Sequence, residues 1–514
     1  MQTLQQSPST SSLQGTSLSW PQYPSIYEIN TWVWLSDLSK TLGKTIDLGS
    51  VPTKVWDSIA SLHLDSVWLM GVWERSPAGI AVANKNEGLL RDFRGALSDF
   101  REEDNVGSPY CVRNYVVDQH LGGPTGLATA RRELAKRGMR LLLDYVPNHV
   151  APDHPWATAS PHFFVQGNSN DLRDDPNSFL AVGGRVFACG KDPFFPAWPD
   201  VLQLNAFSPE LRVTVARTLL DIAGQCDGVR CDMAMLLLNA VFERTWGARV
   251  GRAPATEFWK DVISSVKIRN PNFLFIAEAY WDLEWELQQQ GFDFCYDKRL
   301  YDRMERETAP SVRSHLCAEM TYQEKLVRFL ENHDEPRAAA TFPDAKERAA
   351  AVIITTIPGA KLIHEGQLEG RKVRLPVFLG RRPEEPANES LADFYKQLFS
   401  ACSGPLFHQG TWRLCETSGW PDDNSHTNLV ACSWELVQDR GIIVVNFSDD
   451  TVHARVLLNW DYLSGSQWEL NDSINGKTFV RSGDEMQSSG LYVELPPWGF
   501  HFFQCRRADG KAGA

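Results

Sequence analysis

From about residue 25 to residue 400, short apolar runs rich in β-branched and aromatic residues alternate with stretches whose apolar positions recur at helical spacing. "SIYEINTWVWL" precedes the helical "VPTKVWDSIASLHL", and "SVWLMGVWE" follows as the next strand. "TGLATARRELAKRG" keeps Leu127, Ala130 and Leu134 on one helical face before the strand run "MRLLLDYVPNHV". The alternation continues through "SPELRVTVARTLLDIAGQ" to "DGVRCDMAM", through "ATEFWKDVISSVKIRN" to "NFLFIAEAY", and on to "FDFCYD", "KLVRFLENHD" and "AKLIHEG". Eight strands separated by helices predict an α/β protein with a parallel sheet. A closed (β/α)8 TIM barrel accounts for the count and the length. An open doubly wound sheet would carry a Gly-rich phosphate loop, which the sequence lacks.

Two regions break the alternation. Residues 151–206, rich in Pro, Asn, Asp and aromatics, predict a loop-rich insertion domain after the third strand. From residue 404 to 505, runs such as "NLVACSWEL", "GIIVVNFS" and "GLYVELPPWGFHFFQC" are separated by turn residues and predict a C-terminal antiparallel β-sandwich. The barrel is then expected over 25–150 and 207–403, with a flexible polar tail at 1–24 and a frayed one at 506–514. No internal repeat is seen.

Composition narrows the function. A net charge of −13 opposes binding to nucleic acid, whose phosphates need clustered Lys and Arg. No apolar run approaches the roughly 20 residues that cross a bilayer, so no membrane partner is expected. The amino terminus lacks the basic start and apolar core of a secretory signal. The ten cysteines are scattered, without CxxC pairs or metal-ligand spacing, and are expected as reduced thiols of a cytoplasmic protein. The 18 tryptophans suit flat apolar ligands such as sugar faces, beside their commoner use in cores.

In a barrel of this kind the carboxyl ends of the strands converge on one face, so charges at strand ends distant in sequence become neighbours. "LLLDYVPNHV" ends on Asp144, Asn148 and His149; "GVRCDMAM" carries Arg230 and Asp232; "FLFIAEAY" delivers Glu278; "FLENHDEPR" supplies His333 and Asp334. Asp144, inside its strand, is expected to be structural. Three carboxylates with two His and one Arg match the needs of glycosidic bond cleavage: a proton donor, a nucleophile, and negative charge beside an oxocarbenium-like transition state. Arg230, on the same strand face as Asp232, is expected to hold that carboxylate ionised, while the apolar setting of Glu278 would keep its proton. Glu335 is expected on the solvated side of its turn.

The order "DYVPNH", "GVRCDMAM", "FIAEAY" and "ENHDEPR" resembles the four signature regions of the α-amylase family of retaining glycoside hydrolases and transglycosylases. The resemblance implies Asp232 as nucleophile, Glu278 as acid/base and Asp334 as transition-state stabiliser. It also implies His149, Arg230 and His333 as contacts to the sugar that is cleaved. "GSPYCVRNY" is similar to the family's motif around a sugar-stacking Tyr and so puts Tyr110 in that role; "TTIPGAKLIHEGQLEG" is similar to its eighth-strand segment. The implied substrate is an α-glucan or gluco-oligosaccharide, cleaved by double displacement through a glycosyl–Asp232 intermediate.

Departures from the family pattern leave alternatives open. Cys111 stands where an Asp is common after the stacking Tyr, and Met235 and Leu236 stand where many members carry Lys-His. With those two residues on the acceptor side, a transglycosylase, an isomerase resembling trehalose synthases or a phosphorylase resembling sucrose phosphorylases remains a second reading, and a noncatalytic carbohydrate-binding scaffold a third. No cofactor is required. Asn148 matches a family calcium ligand, but its partner His is replaced by Leu236. The insertion segment "RVFACGKDPFFPAWPDVLQLN" matches no single specificity signature.

Overall fold

The computed structural model describes residues 19–508; most of the expected amino-terminal tail and residues 509–514 lie outside them. Eight parallel strands close a barrel in which sequence neighbours are spatial neighbours. They are β1 (Ser25–Asn30), β2 (Ser66–Met70), β3 (Arg140–Tyr145), β4 (Gly228–Cys231), β5 (Leu274–Ala277), β6 (Phe294–Tyr296), β7 (Leu326–Arg328) and β8 (Ala360–His364). β1 pairs with both β2 and β8, which closes the ring.

The strands are shorter than the apolar runs that announced them, because chemistry at their ends takes over. β1 stops at Asn30, whose side chain caps the helix Thr31–Leu42 by accepting from the Val33 N–H, so "TWVWL" is helical where strand was expected. β7 stops at Arg328, and buried Phe329 and Leu330 continue the core without ladder bonds. Before β8, Gly359 adopts φ +102°, and a Cβ there would meet the Leu326 carbonyl oxygen at 2.3 Å, so only glycine admits this turn.

Residues 19–24 do not behave as a tail. Tyr23 is buried, Trp20 donates its indole N–H to the Asn272 carbonyl at 3.1 Å, and the Arg140 guanidinium lies 4.9 Å from the Trp20 ring centroid. The chain is thereby laid against the amino-terminal end of the barrel, opposite the face that gathers the charges.

Between β3 and β4 a four-stranded antiparallel sheet is built from His149–Val150, Trp198–Gln203, Arg185–Gly190 and Phe179–Val182. It begins within the motif that follows β3, so the insertion shares residues with the strand-end face. Beyond the barrel, a six-stranded and a three-stranded antiparallel sheet enclose a core that includes Ile442, Val444, Val456, Trp468 and Phe503. The last strand runs to Arg507, two residues into the expected carboxyl tail. Trp434 of this domain donates its indole N–H to the Thr356 carbonyl of the barrel helix Asp344–Thr356 at 2.7 Å, tying the two together. None of the ten cysteines is in a disulfide, and no helix among the described residues is long and apolar enough to cross a membrane.

Candidate active site

Parallel ladder bonds continue past the ends of β4 and β5: the Asp232 N–H donates to the Tyr145 carbonyl at 2.9 Å and the Glu278 N–H to the Cys231 carbonyl at 3.0 Å. Backbone register therefore sets the two carboxylates side by side at the rim. Arg230, 1% exposed, reaches up from within β4 between them. Its Nη1 lies 2.9 Å from Asp232 Oδ1, its Nη2 lies 2.9 Å from Glu278 Oε2, and the same Nη2 lies 3.8 Å from Asp334 Oδ2. The rings of Trp68, Tyr110 and Tyr296 surround the guanidinium at 5.5, 5.1 and 5.7 Å. One cation thus serves three carboxylates from three strand ends, in surroundings that keep water away.

That sharing changes the expected charge distribution. Burial and the neighbouring Glu278 carboxylate push the Asp232 carboxyl up, to about 8, against the pull of Arg230. The expectation that Arg230 would simply hold Asp232 ionised overlooked burial and the neighbouring Glu278, which together outweigh the guanidinium. Asp334 is the opposite case. Burial would raise it, but the charges of His333 and Arg230 outweigh burial and hold it well below the usual carboxylate range. Its side chain is 40% exposed, open to the pocket.

His333 bonds Asp334 Oδ2 at 3.0 Å and the Tyr110 hydroxyl at 2.6 Å, and its ring stacks on Tyr110 at 24°. His149 is buried with its ring 5.2 Å from Trp198 of the insertion, and burial depresses it to about 4, so it is neutral where His333 is not. The sequence-predicted residues Tyr110, His149, Arg230, Asp232, Glu278, His333 and Asp334 all line this one face. Asp144, fully buried, accepts from the Gly71 N–H at 2.9 Å, the structural duty expected of it.

The same arrangement accounts for the charges of "FLENHDEPR". Asn332 builds the turn, accepting from the N–H groups of Asp334 and Glu335 at 2.9 and 3.0 Å. Glu331 accepts from the Ala338 N–H and pairs with Arg337 at 3.1 Å, which is scaffolding, while His333 and Asp334 face the site. Glu335 is not on a solvated side: its side chain is 13% exposed and pairs with Lys298 at 3.3 Å.

No family model matches the chain. Among curated proteins it is 24% identical over 419 residues to alpha-amylase MalA of Haloarcula japonica, a match that covers 77% of this chain and 51% of that enzyme. It is 26% identical over 214 residues to the amino acid transporter heavy chain SLC3A1 of Rattus norvegicus, covering 38% of this chain and 27% of the heavy chain. The chain thus spans about half, or less, of the length of these relatives. Among solved structures, a noncanonic maltogenic alpha-amylase of Thermotoga neapolitana superposes with a TM-score of 0.67 at 17% identity, covering 94% of this chain and 98% of that one. The curated relatives include α-amylases, and the superposed structures share the barrel fold.

Several residues at this face were given no role by the sequence, although Met233 and Tyr280 lie inside the quoted motifs. Tyr280 donates its hydroxyl to Glu278 Oε1 at 2.9 Å, and the Met233 N–H donates to Glu278 Oε2 at 2.5 Å. Met233, Trp281 and Asp282 all have positive φ, at 42°, 65° and 59°, strain of the kind that persists where surroundings dictate a site. Trp281 meets Phe194 of the insertion edge-on at 4.8 Å, and Phe194 is 58% exposed. Met235 and Leu236, expected on the acceptor side, are instead buried in the barrel core and have no surface to offer a sugar. Cys111 is likewise turned away from the pocket, its thiol directed at the Asp200 carbonyl at 3.1 Å.

A calcium ion at Asn148 does not fit the residues around it. Gln203, fully buried, points its amide nitrogen at the Asn148 carbonyl and Asn148 Oδ1, both at 2.9 Å, and at the Leu204 carbonyl at 3.0 Å. The oxygens that could have faced a cation are spent on a neutral donor, and none of them is a carboxylate, the charged ligand that Ca2+ sites commonly include. Leu236 is buried and adds none. Accordingly, excess EDTA should leave the thermal midpoint within about 1 °C of its value in added Ca2+, because a ligand that binds only the native state shifts the midpoint measurably. A fall in EDTA reversed by Ca2+, followed by differential scanning fluorimetry, would place a metal in this domain.

Proposed function

We propose that this protein is an enzyme of the α-amylase family that cleaves α-glucosidic bonds in α-glucans or gluco-oligosaccharides with retention of configuration. The observation that carries this is the single guanidinium, Arg230, held between Asp232 and Glu278 at 2.9 Å from each with Asp334 at 3.8 Å. In this reading Glu278 delivers a proton to the leaving oxygen while the Asp232 carboxylate attacks the anomeric carbon, giving a covalent glycosyl–Asp232 ester. Water, deprotonated by Glu278, then releases the sugar. Asp334, ionised across the working range, lies where positive charge develops on the ring and stabilises the transition state more than the ground state. His149, neutral, and His333 contact the hydroxyls of that sugar, and Tyr110 packs against its C–H face.

A noncatalytic carbohydrate-binding scaffold gives no account of three carboxylates converging on one buried cation, an arrangement that costs desolvation. A transferase is the second reading, favoured by exposed Phe194 packed on half-buried Trp281, which offers a sugar acceptor an aromatic surface beside the Glu278 loop. Product analysis with soluble starch, maltose, sucrose and trehalose, with and without phosphate, separates hydrolysis from transfer and phosphorolysis. The retaining step itself is read by proton NMR of the first product, where an α-linked substrate should yield the α-anomer. Initial release of the β-anomer would remove Asp232 from the nucleophile's role.

A further inference from the structure

Glu28 sits on β1, outside all four signature regions, and is fully buried. Its Oε1 contacts His333 Nδ1, while its Oε2 is buried without a hydrogen-bond partner. A carboxylate so placed is costly unless a nearby cation neutralises it, and a neutral glutamine could have made the same single bond. The opposite ring nitrogen, His333 Nε2, meets Asp334 Oδ2 at 3.0 Å and the Tyr110 hydroxyl at 2.6 Å. Trp68 of β2 presents its ring edge-on to the imidazole at 5.5 Å. The other charges acting on this cluster are Arg230 on Asp334 and Glu28, Asp144 from β3 on the imidazole, His364 from β8 on Glu28, and Arg374, Asp232 and Glu335 on Asp334.

We propose that Glu28 is a positioning residue for the reaction: its buried carboxylate keeps His333 as an imidazolium whose two N–H bonds are aimed at Glu28 and at Asp334, so that Asp334 remains ionised and fixed in the pocket. Burial alone would push the His333 imidazole down, but Asp334 and Glu28 outweigh it and raise it well above the ordinary value. Burial likewise pushes Glu28 up, and the imidazoles of His333 and His364 reverse this. The chain of charge runs Glu28 minus, His333 plus, Asp334 minus. Removing its first member leaves His333 with one carboxylate instead of two, and the proton on Nδ1 is then lost at lower pH.

The inference rests on the catalytic reading of Asp334 given above, and one experiment separates the two. The kcat and KM of wild type, Glu28→Gln and Glu28→Asp are measured from pH 5 to pH 9 on a substrate the wild type cleaves, with Asp232→Asn as the control for the catalytic reading. Glu28→Gln keeps the shape and an acceptor for Nδ1–H. Its alkaline limb should move acidward by at least about one pH unit, roughly a tenfold loss at pH 8 relative to pH 6, carried in kcat more than in KM. Glu28→Asp, which restores the charge, should return the limb toward the wild-type position. Superimposed profiles for wild type and Glu28→Gln overturn the inference, as do equal shifts in both variants, or loss of the fold in either, which would mark Glu28 as scaffold. If Asp232→Asn stays active, the catalytic reading itself has failed, whatever the Glu28 variants do.

Discussion

Asp232→Asn should lower turnover of an α-glucoside by on the order of 10⁴-fold while the protein stays folded. The amide keeps an oxygen for Arg230 Nη1, now 2.9 Å from Asp232 Oδ1, but cannot form the glycosyl ester. Stability carries a second signature. Asp232 is held at about 8 by burial and by Glu278, above its value in the unfolded chain. Between roughly pH 4 and pH 8 the native state therefore binds more protons than the unfolded one, and this group's contribution to stability falls as pH rises. The asparagine, which imitates the protonated form at every pH, escapes that loss. Its thermal midpoint relative to wild type should accordingly be higher at pH 8 than at pH 5. A variant with wild-type turnover would take Asp232 out of the chemistry; a midpoint difference that is the same at both pH values would mean that Asp232 is ionised like any exposed carboxylate.

Arg230→Met should be the most damaging single change at the site, because it acts on both activity and stability. The methionine fills part of the space between the rings of Trp68, Tyr110 and Tyr296 but leaves Asp232 and Glu278 buried without their shared cation. Removing one partner of a buried ion pair costs about 3 to 5 kcal/mol, against a total stability of about 5 to 15 kcal/mol. The thermal midpoint should fall by about 5 °C. The fall should be smaller at pH 5 than at pH 8, since carboxylates that have lost their cation can take up protons. Activity should be lost at every pH. A midpoint within about 2 °C of wild type would mean that the two carboxylates do not depend on Arg230 for their charge.

The depth to which the site was legible in the sequence follows from what each residue needs. Asp232, Glu278, Asp334, Arg230 and the two histidines stand at the ends of apolar runs, and alternation plus the closure of a barrel suffices to bring such ends together. Tyr280 and Glu28 could not be found that way. Tyr280 acts from a loop whose path is set by positive φ at Trp281 and Asp282, and no local propensity announces that. Glu28 reads along the chain as one polar residue in a strand; that it touches His333, 305 residues away, depends on β1 lying beside β8 in the closed ring. Nearest-neighbour signals likewise misassigned Met235 and Leu236, apolar residues beside a nucleophile that the core claims, and Glu335, a charge in a turn that Lys298 neutralises.

Sequence alone therefore determined the barrel class, the insertion after the third strand, the C-terminal β-domain and which side chains could meet, because hydrophobic period and turn chemistry are local properties that survive in a linear text. Only the tertiary structure decided how charge is apportioned among those side chains. Burial and the neighbouring Glu278 raise Asp232 against Arg230, a second carboxylate from β1 raises His333, and Gln203 occupies the oxygens that a cation would have used. Each of these depends on distances of about 3 Å between residues far apart in the chain, and electrostatic energy in a buried site varies too steeply with distance and burial for a pattern of letters to specify it.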